Sequence, residues 1–219
     1  MSLSRFFTLA ELTHSDTAVA EGINNQPGAA ETAALEALCR AILDPLREAV
    51  AAPIKVNSGY RGPVLNRRIG GAADSQHLRG QAADIQTGAM TVLELFKTVI
   101  RMGLPFDQII YEARNATSKW VHVSHDTARR RGEIRVAEFD ASGKPVRYPA
   151  VTAEQALAMT EKVSRSRAAA VLEYSELGDE PAAPRKAPAR KAPAKKPLAK
   201  KAAAKKAVAK KARAPQRGT

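Results

Sequence analysis

The chain has 219 residues, with 35 Lys and Arg against 22 Asp and Glu, for a formal net charge of +13. That charge is lopsided: residues 181–219 hold 14 basic and no acidic residues, while the remaining 180 hold 21 basic and 22 acidic ones. The single cysteine, Cys39, excludes an intramolecular disulfide, and no apolar run approaches the ~18 residues of a membrane span.

In chain order, Thr8 and Glu11 fit a capping box for a first short helix, and Ser15 with Asp16 caps a second. Leu35, Leu38, Ile42, Leu46 and Val50 repeat with a helical period over residues 30–51, and Pro45 is expected to kink or divide that helix. Cys39 lies on this apolar stripe and reads as core rather than nucleophile. Residues 53–57 alternate as a strand. Residues 58–80 are rich in Gly, Ser, Asn and Arg. They read as a functional loop with a short helix near Val64–Ile69. Strands are expected over 81–86, 106–112 and 119–124. An amphipathic helix over 91–102 is ended by Gly103 and Pro105. Residues 133–139 and 145–148 read as a hairpin about Ser142-Gly143. Residues 152–177 read as one long polar helix. The order predicts an α+β domain with a small, mostly antiparallel sheet flanked by helices. Its expected parts are a domain over 1–150, a C-terminal helix over 151–177 and a tail over 178–219. The tail is Lys/Ala/Pro-rich and has no aromatic residue, so it is expected to be disordered. Glu11 interrupts the apolar start too early for a signal peptide. Synthesis in the cytoplasm is therefore expected, with any action at the cell wall following release by another route.

The stretch from Ser75 to Ile85 carries His77 and Asp84 seven residues apart, with Gly80, Ala82 and Ala83 leaving room for close backbone approach. On a strand, Ala82 and Asp84 share one face while Ala83 and Ile85 share the other. In the segment 120–125, Trp120, His122 and Ser124 share a face opposite Val121 and Val123. His77, Asp84 and His122 together make two imidazoles and one carboxylate. With one position left for water, that is a catalytic zinc donor set rather than a closed structural one. Asp84 taken alone also fits a cap or turn. His14 and His125 read as ordinary polar residues.

The pattern Ser75-x-His77-x-x-Gly80-x-Ala82-x-Asp84, followed by Trp120-x-His122, resembles the M15 zinc peptidases. This is the D-alanyl-D-alanine carboxypeptidase and L-alanyl-D-glutamate endopeptidase group. The segments Val56-Asn-Ser-Gly-Tyr-Arg61 and Phe7 to Asp16, and Asn66, are similar too. The resemblance implies a hedgehog-like peptidase fold and one zinc ion per chain on His77, Asp84 and His122. It implies substrate contacts from Ser58, Tyr60, Arg61, Ser75, Gln76 and Trp120, with Arg61 holding a carboxylate or the developing oxyanion. Peptidoglycan stem peptides are the implied substrate. Many members place a glutamate three residues before the last histidine, where this chain has Lys119. Glu112, on the neighbouring strand, is the substitute general base, or else an exposed strand-end carboxylate. Trp120 is either core or a wall for the peptide. The tail is similar to linker-histone tails and suits a nucleic acid or an anionic envelope polymer, or serves only as a solubilising extension. The alternative reading is a catalytically weak zinc-binding protein tethered to the wall or to DNA by that tail.

Overall fold

The computed structural model describes residues 1–161. The tail and most of the expected long C-terminal helix lie outside them. Helices α1 (Leu9–Thr13) and α2 (Asp16–Glu21) open the chain. The Thr8 hydroxyl accepts from the Glu11 N–H at 3.3 Å while the Thr8 N–H donates to the Glu11 carboxylate at 2.8 Å, so the expected capping box is formed.

The expected helix over 30–51 is divided. Helix α3 (Ala29–Leu38) runs into a π-helical turn at Cys39–Leu43 and then into α4 (Asp44–Val50). Pro45 has no N–H to donate, and its ring collides with the carbonyl one turn back in a regular helix. The wider turn, in which the Asp44 N–H reaches the Cys39 carbonyl, lets the chain continue through it. Cys39 is fully buried, and burial pushes its thiol up to about 12, so it is core.

Five strands form the main sheet in the order β1-β2-β4-β3-β5: β1 (Ile54–Ser58), β2 (Ala82–Thr87), β3 (Gln108–Ala113), β4 (Lys119–Ser124) and β5 (Glu133–Val136). All neighbours are antiparallel except β3 and β5, which run parallel. Helix α5 (Pro63–Arg68) sits in the long loop after β1. Helix α6 (Val92–Arg101) begins where the Thr91 hydroxyl accepts from the Glu94 N–H at 3.1 Å, and Gly103, at φ +61°, ends its run.

One sheet face carries Ala83, Ile85, Ile109, Tyr111, Val121 and Val123. These pack with α6 and with the α3–α4 helical segment into the core. Apolar residues at every second position supply that face, and burying each large one contributes about 1.5–3 kcal/mol. The opposite face carries the polar residues of the same strands.

Two expectations need correction near the end of this region. The strand expected over 133–139 is split: β5 joins the main sheet, and the hairpin consists only of β6 (Glu138–Phe139) and β7 (Pro145–Arg147). The chain changes partner where the Val136 N–H bonds the Pro149 carbonyl and the Ala137 N–H bonds the Tyr111 carbonyl. Helix α7 (Ala153–Ala158) starts at its Thr152–Gln155 box but ends at Met159, whose backbone is extended. The chain is then held by Glu161, which accepts from the Tyr111 hydroxyl and pairs with Lys119 at 3.0 Å. No helix among the described residues is long and apolar enough to cross a membrane.

Candidate metal centre and cleft

Strand register assembles most of the site. Asp84 on β2 lies opposite His122 on β4, His122 lies opposite Ile110 on β3, and Ile110 lies opposite Arg135 on β5. This row crosses the polar face. One step along, Glu112 lies opposite Trp120. Glu112 is therefore a diagonal neighbour of His122 on the same face, within reach of a long side chain.

His77 comes from outside the sheet. It lies in a 3₁₀ turn, Gln76–Arg79, capped by Ser75 and closed by Gly80 at φ +66°. A Cβ on Gly80 would meet the Glu31 carbonyl at 2.3 Å, so only glycine lets the turn pack against α3. The His77 Nδ1–H donates to the Gly59 carbonyl at 2.6 Å, which leaves the Nε2 lone pair facing the sheet. Gly59 is itself fixed: a Cβ there would strike the Leu12 carbonyl at 2.3 Å, and that carbonyl accepts the Tyr60 N–H. Asn25 clamps the same loop, donating to the Thr13 and Tyr60 carbonyls and accepting from the Gly62 N–H.

Three donor atoms converge. His77 Nε2 lies 3.2 Å from His122 Nδ1 and 3.3 Å from Asp84 Oδ1, and His122 Nδ1 lies 3.0 Å from Asp84 Oδ1. The edge of a tetrahedron with arms of 2.0–2.1 Å is about 3.3 Å, so the three atoms already sit close to the corners that zinc requires. Among the described residues this is the cluster of three such groups that could hold a metal ion. Burial pushes the Asp84 carboxyl up, but His77 and His122 pull it further down, well below the usual carboxylate range. It is therefore charged and ready to ligate. Burial lowers the His77 imidazole, which favours the neutral form a metal needs. His14 is exposed and pairs with Asp16, and the His125 Nδ1–H donates to the Pro105 carbonyl; neither joins the cluster.

The centre lies in a cleft of about 750 Å³. Arg61, Ser75, Gln76, Glu112 and Trp120 line it with the three cluster residues. Arg61 places a guanidinium nitrogen 3.8 Å from Asp84 Oδ2, and its Nε is buried with no hydrogen-bond partner among the described residues. Burial and the charge of Asp84 push Glu112 up to about 7, against the pull of His122, Trp120 and Arg61. Gln76 lines the cleft, but its amide also donates to Asp107 at 2.9 Å. Ser58 lies beside Asp84 in the β1–β2 register and Tyr60 is buried in the core; neither is among the cleft-lining residues.

Lys119 stands three residues from His122, an odd number on a strand, so it faces the core side, where it meets Glu161. A glutamate at that position would not face the metal centre. Tyr148, just after β7, also lines the cleft and was not expected there. Burial, Glu112 and Asp84 push its hydroxyl up to about 12, so it stays protonated. Only the fold of the hairpin over the sheet brings it in, and no local sequence signal marks it.

Asp107 braces the rim. It is fully buried, and Arg131 binds both its oxygens at 2.6–3.2 Å. Burial raises this carboxyl, but the bonds from Arg131 and Gln76 lower it further, to about 2. A carboxyl lowered in the folded state stabilises above its unfolded pKa of about 4, and that stabilisation fades as pH falls towards 2. Asp107→Asn is expected to cost about 2 kcal/mol at neutral pH, with the deficit shrinking between pH 5 and 2. Paired thermal melts of the two proteins across that range test it; a deficit that is constant with pH contradicts it.

Two imidazoles and a carboxylate, converging in the lining of an open cleft, make this an α+β domain with a three-donor cluster that could hold a metal ion. The family model described as Peptidase M15 matches residues 5–124, more than half of the sequence, and the chain belongs to that family. Over 77 residues it is 31% identical to the zinc D-Ala-D-Ala carboxypeptidase of Streptomyces albus G. That match spans 35% of this chain and 29% of the length of the Streptomyces enzyme.

Proposed function

We propose that the chain is a zinc-dependent peptidase that cuts peptidoglycan stem peptides, as a carboxypeptidase or an endopeptidase. The observation that carries this reading is the convergence of His77, Asp84 and His122 beside Glu112 and Arg61 in one cleft. His77, Asp84 and His122 would hold one zinc ion per chain. When bound there, zinc supplies Lewis-acid polarisation and lowers the pKa of water. Glu112 accepts the proton of the attacking water on its carboxylate and returns it to the leaving amine nitrogen as the C–N bond breaks. Arg61 holds a substrate carboxylate or the developing oxyanion with its free donors. Trp120 forms a wall for the peptide, and Ser75 and Gln76 line the same cleft.

The test is mass spectrometry of peptidoglycan fragments after incubation with protein stripped by chelator, before and after zinc is restored. New termini that appear only with zinc name the bond that is cut. Intact fragments with one zinc per chain overturn the peptidase and leave the zinc-binding wall protein. We assign the basic segment 181–219 an anionic partner, either nucleic acid or an envelope polymer. Binding of the full chain to such a polymer should weaken steeply as salt rises. Action at the cell wall follows from the proposed substrate.

A further inference from the structure

Six arginines line the cleft against three carboxylates, Asp74, Asp84 and Glu112. Five of the six are engaged. Arg61 faces Asp84, and Arg129 and Arg131 converge on Asp107. Arg135 binds Glu133 and the Tyr148 carbonyl. Arg79 donates to the Gln81 side chain and the Asp74 carbonyl. These bonds hold the walls of the cleft together.

Arg114 differs from the other five. Among the described residues, no carboxylate pairs with it. Its guanidinium lies 5.8 Å from the centre of the Trp120 ring. Its stem packs under the β6–β7 turn, where a Cβ added to Gly143 would come within 3.0 Å of Arg114 Cγ. Its backbone N–H bonds the Ser118 carbonyl at 2.9 Å and closes the β3–β4 connection. The guanidinium thus has an aromatic ring beside it and a turn beside its stem, and the residue is exposed at the cleft. Ordering a long side chain costs entropy, and contacts of the stem and guanidinium with a turn and a ring reduce that cost.

Position gives the cation a purpose. Ile110, opposite His122, then Glu112, then Arg114 take successive steps of two along one stretch of chain. Arg114 therefore lies about 7 Å beyond Glu112, on the side away from the metal ligands. An extended peptide covers that distance in about two residues. A planar guanidinium beside an indole suits a carboxylate, which it can grip through two parallel N–H bonds.

Resting on the peptidase reading, we infer that Arg114 is a specificity-determining residue. It binds a side-chain carboxylate of the substrate about two residues from the bond that is cut. The site therefore selects acidic peptides over neutral ones of the same shape. A charge-assisted hydrogen bond at an exposed group corresponds to about a tenfold preference, smaller at high salt.

Trp120 is the chain's one tryptophan, so its fluorescence reports binding at this wall whether or not the peptide is cut. The probes are two short peptides ending in D-Ala-D-Ala. One carries glutamate and the other glutamine immediately before that pair. Zinc-loaded wild type is expected to bind the glutamate peptide about tenfold more tightly. Arg114→Gln should reduce the ratio to near one, and Arg114→Lys should restore part of it. Unchanged melting temperature and metal content would show that the variants are folded. Equal affinities in the wild type, no binding of either peptide, or an unchanged ratio in Arg114→Gln each overturn the inference. A ratio that behaves as expected with neither peptide cut keeps the carboxylate site and removes the peptidase. Cleavage of both peptides at equal efficiency does the reverse.

Discussion

Asp84→Asn is expected to leave the protein without bound zinc and without peptidase activity. Asp84 Oδ1 lies 3.0 Å from one imidazole donor and 3.3 Å from the other, so it contributes the anionic corner of the triad. An amide oxygen there is neutral and a far weaker ligand. Loss of a residue that only supports a ligand costs 10–100-fold in metal affinity, and loss of a ligand itself should exceed that. The substitution also removes the countercharge of Arg61, whose guanidinium is largely buried. The pair is 3.8 Å apart and not fully enclosed, so the expected cost is at the modest end, about 1–3 kcal/mol. His77→Ala separates the two effects, because it removes a ligand and leaves the Asp84–Arg61 pair intact. Zinc content per chain and urea midpoints for both variants decide the matter. Zinc retained at one per chain in Asp84→Asn would remove this residue from the ligand set.

The parts of this site that the sequence discloses are those fixed by short-range rules. Strand alternation alone places His122 opposite the valines, and it places Asp84 on the same side of the sheet as the open cleft. The same parity accounts for Lys119. What looks like a departure from the family pattern is a residue on the other face, serving Glu161. Glu112 follows from pairing two strands, β3 and β4, joined by a short connection. The π-helical turn is different, since a single extra residue per turn leaves the apolar stripe of α3 and α4 almost undisturbed. The split of the strand expected over 133–139 depends on which partner each backbone N–H finds, and side-chain pattern does not encode that choice. Tyr148 and Arg114 owe their surroundings in the cleft to the β6–β7 hairpin. Asn25, which holds the Gly59–Gly62 loop through its amide, acts across more than thirty residues of chain.

Glu112→Gln is expected to lower kcat by on the order of 10²–10⁴ while leaving zinc bound. The substitution keeps the size of the side chain and its place opposite Trp120 but removes the atom that takes up a proton. The three ligand atoms belong to other residues, so metal content should stay near one per chain. KM should change little, because the loss falls on a proton transfer made in the transition state rather than on substrate binding. A second substitution tests the strand argument. Lys119→Glu, added to Glu112→Gln, supplies the glutamate that the family resemblance leads one to expect three residues before the histidine. Because position 119 faces the core side, where Lys119 meets Glu161, this change should not recover activity. Kinetics on a soluble peptide, with zinc measured on the same samples, give both readings. A Glu112→Gln enzyme of near wild-type kcat would assign the proton to another group, and recovery by Lys119→Glu would place position 119 at the metal centre after all.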